Sequence, residues 1–255
     1  MKMSFSQLFD FVGDMNTLVR IKKKKMKYIK LSILSILITL VSCHEEKLNK
    51  LKTNKVFSES ETIELISLLD RFDKKICKIE SKSEGNFKDC YDSFYKRILK
   101  EIETGDYDIG IDKDNQKEIV ELLNPKLRNE FWGYGKVVLN RRIPNTNSNE
   151  TFPDSIQSIN INKGKYFDYL EKEISQINPK TKLYFENFSI AGDISPSIFA
   201  DVVKNYGEYD IEDERIRLLI AIHYLTINHR NLEMKASYAR LENDIKNEFE
   251  NRRKK

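Results

Sequence analysis

Apolar positions between residues 58 and 102 recur at steps of three and four, the spacing of amphipathic helices. A polar stretch, "SKSEGN", separates the two runs, and Ser58 and Glu61 have the spacing of a capping box. The pattern therefore predicts an αα-hairpin at the start of the folded part. Its apolar positions are Leu65, Leu68, Leu69, Phe72, Ile76 and Ile79 in the first helix, and Phe87, Cys90, Tyr91, Phe94, Ile98 and Ile102 in the second.

The rest of the chain also favours helices. Two Asx/Ser-Pro pairs, at 124–125 and 195–196, are typical of an N-cap followed by proline at the first helical position. Residues 215–227 are apolar on nearly all sides, which predicts a helix in the middle of the domain. Residues 232–249 alternate charged and apolar positions, which predicts an amphipathic terminal helix.

Strand signals are few and are confined to two segments. Residues 156–161 alternate at Ile159 and Ile161, and residues 182–190 are rich in aromatic side chains. We expect a small β element around 156–190, with a helix over 166–177 between its strands. The predicted fold class is therefore mainly α, opening with an αα-hairpin.

The chain has 255 residues and a formal charge of +4, and that positive charge is unevenly distributed. Residues 1–42 carry seven lysines, one arginine and two aspartates, which leaves 36 basic and 38 acidic residues in 43–255. The basic excess therefore belongs to the amino-terminal segment. The remaining chain lacks the global positive charge that nucleic-acid binding needs, so we expect no nucleic-acid partner.

The segment from Met26 has the order of a secretory signal. Lys27 and Lys30 precede an apolar run over residues 31–42, which is shorter than the roughly 20 residues that a membrane-spanning helix needs. The run ends in Leu40, Val41, Ser42 and Cys43, which resembles the lipobox of bacterial lipoproteins.

The resemblance to lipoproteins implies how the protein is attached to a membrane and where in the cell it is located. It implies that the chain is cut before Cys43, that this thiol carries a diacylglyceryl group and that the new amino terminus is acylated. Two or more acyl chains anchor a protein stably to a membrane. We therefore expect a lipid-anchored protein of the bacterial cell envelope, at the outer membrane. Glu45 and Glu46 are similar to a surface-export signal of Bacteroidota lipoproteins, and an ordinary periplasmic tether is the alternative.

These segments divide the chain into four parts. We expect residues 1–25 to be an upstream extension and translation to start at Met26, because the chain from Met26 would already give a complete signal. Residues 26–42 are the signal peptide, 43–57 a lipidated polar tether, and 58–255 a single mostly helical domain.

The two cysteines of the hairpin lie four residues on either side of the predicted loop. Positions equidistant from the turn face each other in an antiparallel hairpin, and the exported compartment is oxidising. We therefore predict a disulfide between Cys77 and Cys90. Two free buried thiols are the alternative.

No constellation for catalysis or metal binding stands out. The aspartates between residues 106 and 114 fail the ligand spacing of an EF-hand in every register, so we interpret them as a turn and a helix start. His223 and His229 lie six residues apart on one helix and cannot share a metal, and His223 lies among apolar residues typical of a core. We assign no catalytic residue, no metal ligand and no cofactor.

The aromatic cluster Phe131, Trp132 and Tyr134 has two interpretations. With Gly133 and Gly135 it could bind a sugar or a peptide, and more often such a cluster is a core anchor at a bend. Our leading hypothesis is a non-catalytic protein that binds a protein partner, for example as an inhibitor or immunity-type protein. The alternative is a carbohydrate-binding or hydrolytic lipoprotein that uses this cluster, and a third hypothesis is a structural subunit of an envelope assembly.

Overall fold

The computed structural model describes residues 51, 55–104, 108–142 and 151–253. The predicted lipobox from Leu40 to Cys43 lies outside these ranges, as do the predicted extension, the signal peptide and most of the tether. The described residues belong to one compact unit that spans Lys50–Lys255.

The first two helices form the predicted αα-hairpin. Helix α1 spans Glu59–Ile79 and α2 spans Phe87–Thr104. The Ser58 hydroxyl accepts a hydrogen bond from the Glu61 amide, and the Glu61 carboxylate accepts one from the Ser58 amide at 2.8 Å. This capping box satisfies two amide groups that a helix start leaves without partners, and it fixes where α1 begins.

The disulfide predicted between Cys77 and Cys90 is present. It joins the end of α1 to the first turn of α2, with the two Cα atoms 4.8 Å apart. Both side chains are buried in the core. The hairpin is therefore closed covalently at its loop end and by apolar packing along its length.

Two short helices follow, and side-chain caps define both starts. Helix α3 spans Lys113–Val120 and is capped by Asp112, whose carboxylate accepts from the Asn115 amide at 2.8 Å. Helix α4 spans Pro125–Phe131 and is capped by Asn124, as the Asn-Pro pair predicts. Asp112 and Asp114 thus form the helix start that we inferred, as the cap and in the first turn of α3.

A β-hairpin follows α4 directly. Strand β1 spans Trp132–Arg142 and β2 spans Thr151–Ile161, and they pair antiparallel with Trp132 opposite Ile161. The alternation at Ile159 and Ile161 correctly places β2, since both side chains are buried on the face they share with Trp132. Strand β1 was not predicted.

The strand expected at 182–190 was wrong, because this segment is helical. Helix α5 spans Lys165–Tyr169 and continues as a π-helical turn over Leu170–Ile174, and α6 spans Pro179–Ala191. Asn178 caps α6, and Gly192 ends it in the left-handed conformation that glycine adopts readily, with φ of 71°. These end signals prevail over the β propensity of the aromatic residues.

The carboxyl-terminal part consists of two helices around the core. Helix α7 spans Pro196–Lys204, capped by Ser195 as predicted, and a 3-10 turn covers Tyr206–Glu208. Helix α8 spans Glu214–Arg253, so the two helices predicted for this part are one continuous helix of 40 residues. Every residue over 216–228 is buried, which makes this amino-terminal third of α8 the centre of the domain.

A buried ion pair holds α1 against α8. Arg217 donates from Nε to the Asp73 carboxylate at 3.0 Å, and its Nη1 donates to the carbonyls of residues 211 and 212. Tyr91 donates to the second carboxylate oxygen of Asp73 at 2.6 Å. The guanidinium also lies over the Phe87 ring, 4.3 Å from its centre. Burial raises the pKa of Asp73 to about 6, although Arg217 and Tyr91 oppose the shift.

The fold class is therefore mainly α with a small β element, as predicted. Within the described ranges, no helix is long and apolar enough to cross a membrane.

Candidate functional site

The structure separates the three aromatic residues that we singled out. Trp132 is 1% exposed, and its indole nitrogen donates to the Thr226 hydroxyl at 2.9 Å. Phe131 is fully buried, with its ring stacked on that of Phe57. Tyr134 is 50% exposed. Of the two interpretations of this cluster, the core anchor holds for Phe131 and Trp132, and among the three only Tyr134 faces outward as a ligand-binding residue would.

Tyr134 lines a cleft of about 230 Å³ at the base of the β-hairpin. Residues from α3, α4, both strands and α8 meet there, together with the residue that follows α3. The cleft is lined by Lys113, Gln116, Lys117, Val120, Glu121, Arg128, Tyr134, Ile159, His229, Leu232 and Glu233.

Helical spacing explains why α3 contributes a whole wall. Its lining residues occupy positions 113, 116, 117 and 120, which fall on one face of a helix. Behind this wall, Gln116 donates to the Leu225 carbonyl at 2.9 Å, and Asn228 donates to the Gln116 side-chain oxygen at 2.5 Å. Because all these groups are buried and hydrogen-bonded, they hold α3 in a fixed position on α8.

Helix α8 supplies the opposite wall through residues at positions 229, 232 and 233. The His229 ring meets the Tyr134 ring edge to face, with centres 6.1 Å apart. Burial lowers the pKa of His229 below its usual value, so the ring is neutral at pH 7. Its Nε2 atom is buried and has no hydrogen-bond partner in the described structure. The ring therefore offers an unused polar atom beside the cleft.

The charged residues of the cleft are partly balanced. Lys113 pairs with Glu233 at 3.2 Å, and Lys117 lies 3.9 Å from Glu121. Arg128 has no such carboxylate partner among the described residues, and its Nε is buried without a hydrogen bond. Within the described ranges, the cleft therefore carries one positive charge without a partner, next to the apolar side chains of Val120, Ile159 and Leu232.

Strand β1 continues outward from the cleft as an exposed apolar surface. Val138 is 64% exposed and lies on the same face of the strand as Tyr134, whereas Val137 is 39% exposed and lies on the opposite face. In the described part of the chain, β2 is the strand that pairs with β1, so the other edge of β1 has no strand partner. An exposed strand edge next to apolar side chains is typical of a surface that binds another chain.

The other histidine on α8 is part of the core. His223 is fully buried, and its Nδ1 shares a hydrogen bond with the Tyr184 hydroxyl at 3.1 Å. Burial lowers the pKa of His223 to about 3. The prediction that it is a core histidine is confirmed. The described ranges contain no group of three His, Cys, Asp or Glu side chains that could hold a metal ion.

Comparison of the chain with known protein families, with curated proteins and with solved structures found no match.

Sequence reasoning found one residue of the cleft, Tyr134, and missed the others that give it its chemistry. Arg128 and His229 lie 101 positions apart and line the same cleft only in the folded protein. Neither residue carries a local sequence signal that marks it as part of a binding site.

Proposed function

We propose that this protein is a lipid-anchored, non-catalytic protein of the bacterial envelope that binds a protein partner through the cleft and strand β1. The anchor is supported by the lipobox, Leu40 to Cys43, behind a basic and then apolar leader. The proposed location is the outer membrane, facing either the periplasm or the cell surface. An inhibitor or immunity-type role, in which the domain neutralises a secreted effector, is the concrete form of this proposal.

One observation carries the binding proposal: β1 exposes apolar side chains beside the cleft, two of them, Tyr134 and Val138, on the same face of the strand. Tyr134, Val137 and Val138 are three of the eight large apolar side chains found exposed in the described residues. Such surfaces on proteins commonly mark a binding site for another protein. A partner would cover them and exclude water from the cleft edge.

A carbohydrate-binding or hydrolytic role has less support. It would use the aromatic faces of residues 131–134, and two of those three rings are in the core. The cleft, at about 230 Å³, is also smaller than the range of roughly 300–1,000 Å³ typical of small-molecule sites.

The anchor is tested by the mass of the amino-terminal peptide of the protein isolated from membranes. We expect a peptide that begins at Cys43 and carries a diacylglyceryl group and an acyl chain. A Cys43→Ala variant should leave the membrane fraction. An unmodified Cys43 in a membrane-bound protein would rule out the lipoprotein proposal.

Partner binding is tested in living cells of the native host with a photoreactive amino acid placed at position 138. We expect a discrete cross-linked species of higher mass. The matched control has the same amino acid at position 190, because Ile190 is 86% exposed but lies on α6. Absence of a cross-link at 138, or equal cross-links at both positions, would contradict the proposal.

A further inference from the structure

The cleft contains an arginine that has no counter-ion among the described residues. Five other arginines with described side chains each bind a carboxylate, whereas Arg128 has neither an ion pair nor a side-chain hydrogen bond to any described residue. These five are Arg71, Arg97, Arg215, Arg217 and Arg230. Arg128 is half-buried, and burying a polar atom without a partner costs stability. Buried groups left unpaired in this way call for an explanation, and a bound ligand is one.

The neighbouring charges do not supply the missing anion. Glu121 and Glu233 each lie within ion-pair distance of a lysine, Lys117 and Lys113 respectively. An anionic ligand would therefore complete the charge balance at Arg128. A guanidinium binds a carboxylate through two parallel hydrogen bonds, which gives both energy and a defined orientation.

The apolar half of the cleft restricts the ligand further. Val120, Ile159 and Leu232 line the cleft together with Arg128. A volume of about 230 Å³ suits a group of the size of one amino-acid residue. The ligand that fits both halves carries a carboxylate and an aliphatic group on the same small unit. The last residue of a polypeptide has this combination, since its α-carboxylate is attached to the atom that bears its side chain.

The surface next to the cleft points to a polypeptide rather than to a free acid. Tyr134 lies at the cleft, and Val138, which is exposed on the same face of β1, lies further along the strand. A free acid would fill the cleft and leave this surface in water. A chain that ends in the cleft would extend over β1, where main-chain hydrogen bonds to a strand edge supply affinity in other peptide-binding domains.

We propose that the cleft binds the carboxyl-terminal residue of a partner protein, with the α-carboxylate on Arg128 and an aliphatic side chain among Val120, Ile159 and Leu232. This inference rests on the proposed protein-binding function and specifies how the partner is recognised.

Isothermal titration of the full chain in detergent tests this inference with three probes. The probes are the peptide acetyl-Gly-Ala-Leu with a free carboxylate, the same peptide with a carboxyl-terminal amide, and 4-methylpentanoate. We expect the acid peptide to bind at least ten times more tightly than the amide peptide. Equal affinity of the two peptides would overturn the inference. Equal affinity of 4-methylpentanoate and the acid peptide would also overturn it, because the ligand would then be a small acid.

Two variants locate the binding to the guanidinium. Arg128→Gln should reduce the affinity for the acid peptide to that for the amide peptide, and Arg128→Lys should restore only part of it, because a lysine lacks the planar fork. Lys126→Gln is the matched control, since Lys126 is an exposed cation on the same helix that does not line the cleft. It should bind as the unaltered protein does. Unchanged binding by Arg128→Gln would overturn the assignment.

The cross-linking experiment at position 138 separates this inference from the proposed function. If Arg128→Gln cross-links its partner as well as the unaltered protein, the protein-binding function stands and carboxylate recognition is wrong. If the unaltered protein gives no cross-link at all, the proposed function fails, whatever the peptides do.

Discussion

Replacing Arg217 with methionine should destabilise the protein, and the cost should increase with pH. The substitution leaves the Asp73 carboxylate buried without its cation, since the side chains of Asp73 and Arg217 are only 2% and 5% exposed. It also removes the hydrogen bonds to the carbonyls of residues 211 and 212 and the contact with the Phe87 ring.

The sign of the pH dependence follows from the pKa of Asp73. That pKa is about 6 in the folded protein and 3.8 in an unfolded chain, so the folded state binds more protons between these values. The stability contributed by this group is therefore full below about pH 4 and falls as the pH rises to about 6. Without Arg217 the folded pKa rises further, and the fall continues above pH 6 at about 1.4 kcal/mol per pH unit.

The loss of unfolding free energy caused by Arg217→Met has two parts. At pH 5 the Asp73 carboxyl is largely protonated in both folded proteins, so the substitution costs the carbonyl hydrogen bonds and the ring contact, about 2 kcal/mol in total. At pH 8 the buried carboxylate without its cation adds a further cost. The total loss of unfolding free energy should then be about 3–5 kcal/mol, the range typical of breaking a buried ion pair.

Urea unfolding followed by circular dichroism at pH 5, 6.5 and 8 measures these losses, with the disulfide kept intact. Arg71→Met is the matched control, because Arg71 also pairs with a carboxylate but its side chain is 51% exposed. Its cost should stay below about 1 kcal/mol at each pH. A cost of Arg217→Met that is the same at pH 5 and pH 8 would refute the reasoning.

Three further predictions concern the disulfide, the buried indole and the first helix cap. Replacing both Cys77 and Cys90 with serine should lower the free energy of unfolding by about 3 kcal/mol by the chain-entropy model, measured with urea; a loss below about 1 kcal/mol would contradict it. Because Trp132 is the single tryptophan, the fluorescence of the folded protein should resist quenching by acrylamide, and efficient quenching would show that the indole is not buried. Ser58→Ala should cost about 1 kcal/mol through loss of the α1 cap, whereas Ser60→Ala, on an exposed position of the same turn, should cost less; equal costs would argue against the cap.

The helices were predictable where local signals agreed. Leu65, Leu68 and Phe72 have helical spacing, and Ser58 with Glu61 marks the start of α1, so pattern and cap point to the same element. The disulfide followed from the symmetric placement of its cysteines about the loop. These features depend on residues that are close in sequence.

Two elements were predicted wrongly or missed: a strand was expected at 182–190, where composition was given more weight than the signals of helix ends, and strand β1 was not predicted. Residues 182–190 are rich in aromatic side chains, which favours a strand, yet Asn178 and Gly192 mark the two ends of a helix. Within it, Tyr184 and Phe188 lie four residues apart and are both buried on one face. Strand β1 was missed because its pairing with β2 joins segments that neither local spacing nor capping connects.

The cleft could not be predicted because it forms only in the folded protein. Arg128 and His229 are each unremarkable in their own segments of the sequence. Only the structure shows that both line one cleft and that a buried nitrogen of each has no hydrogen-bond partner among the described residues. Sequence patterns indicate which face of a helix is buried, but they do not indicate which charged groups remain without partners after packing.

The most direct test of the central claim is hydrogen–deuterium exchange of the protein alone and in complex with the partner captured by cross-linking at position 138. The account predicts slower exchange over residues 113–121 and 132–138, the wall of the cleft and the exposed strand, with residues 183–190 of α6 unchanged. Protection of residues 183–190 without protection of β1 would show that the partner binds elsewhere, and would contradict the account.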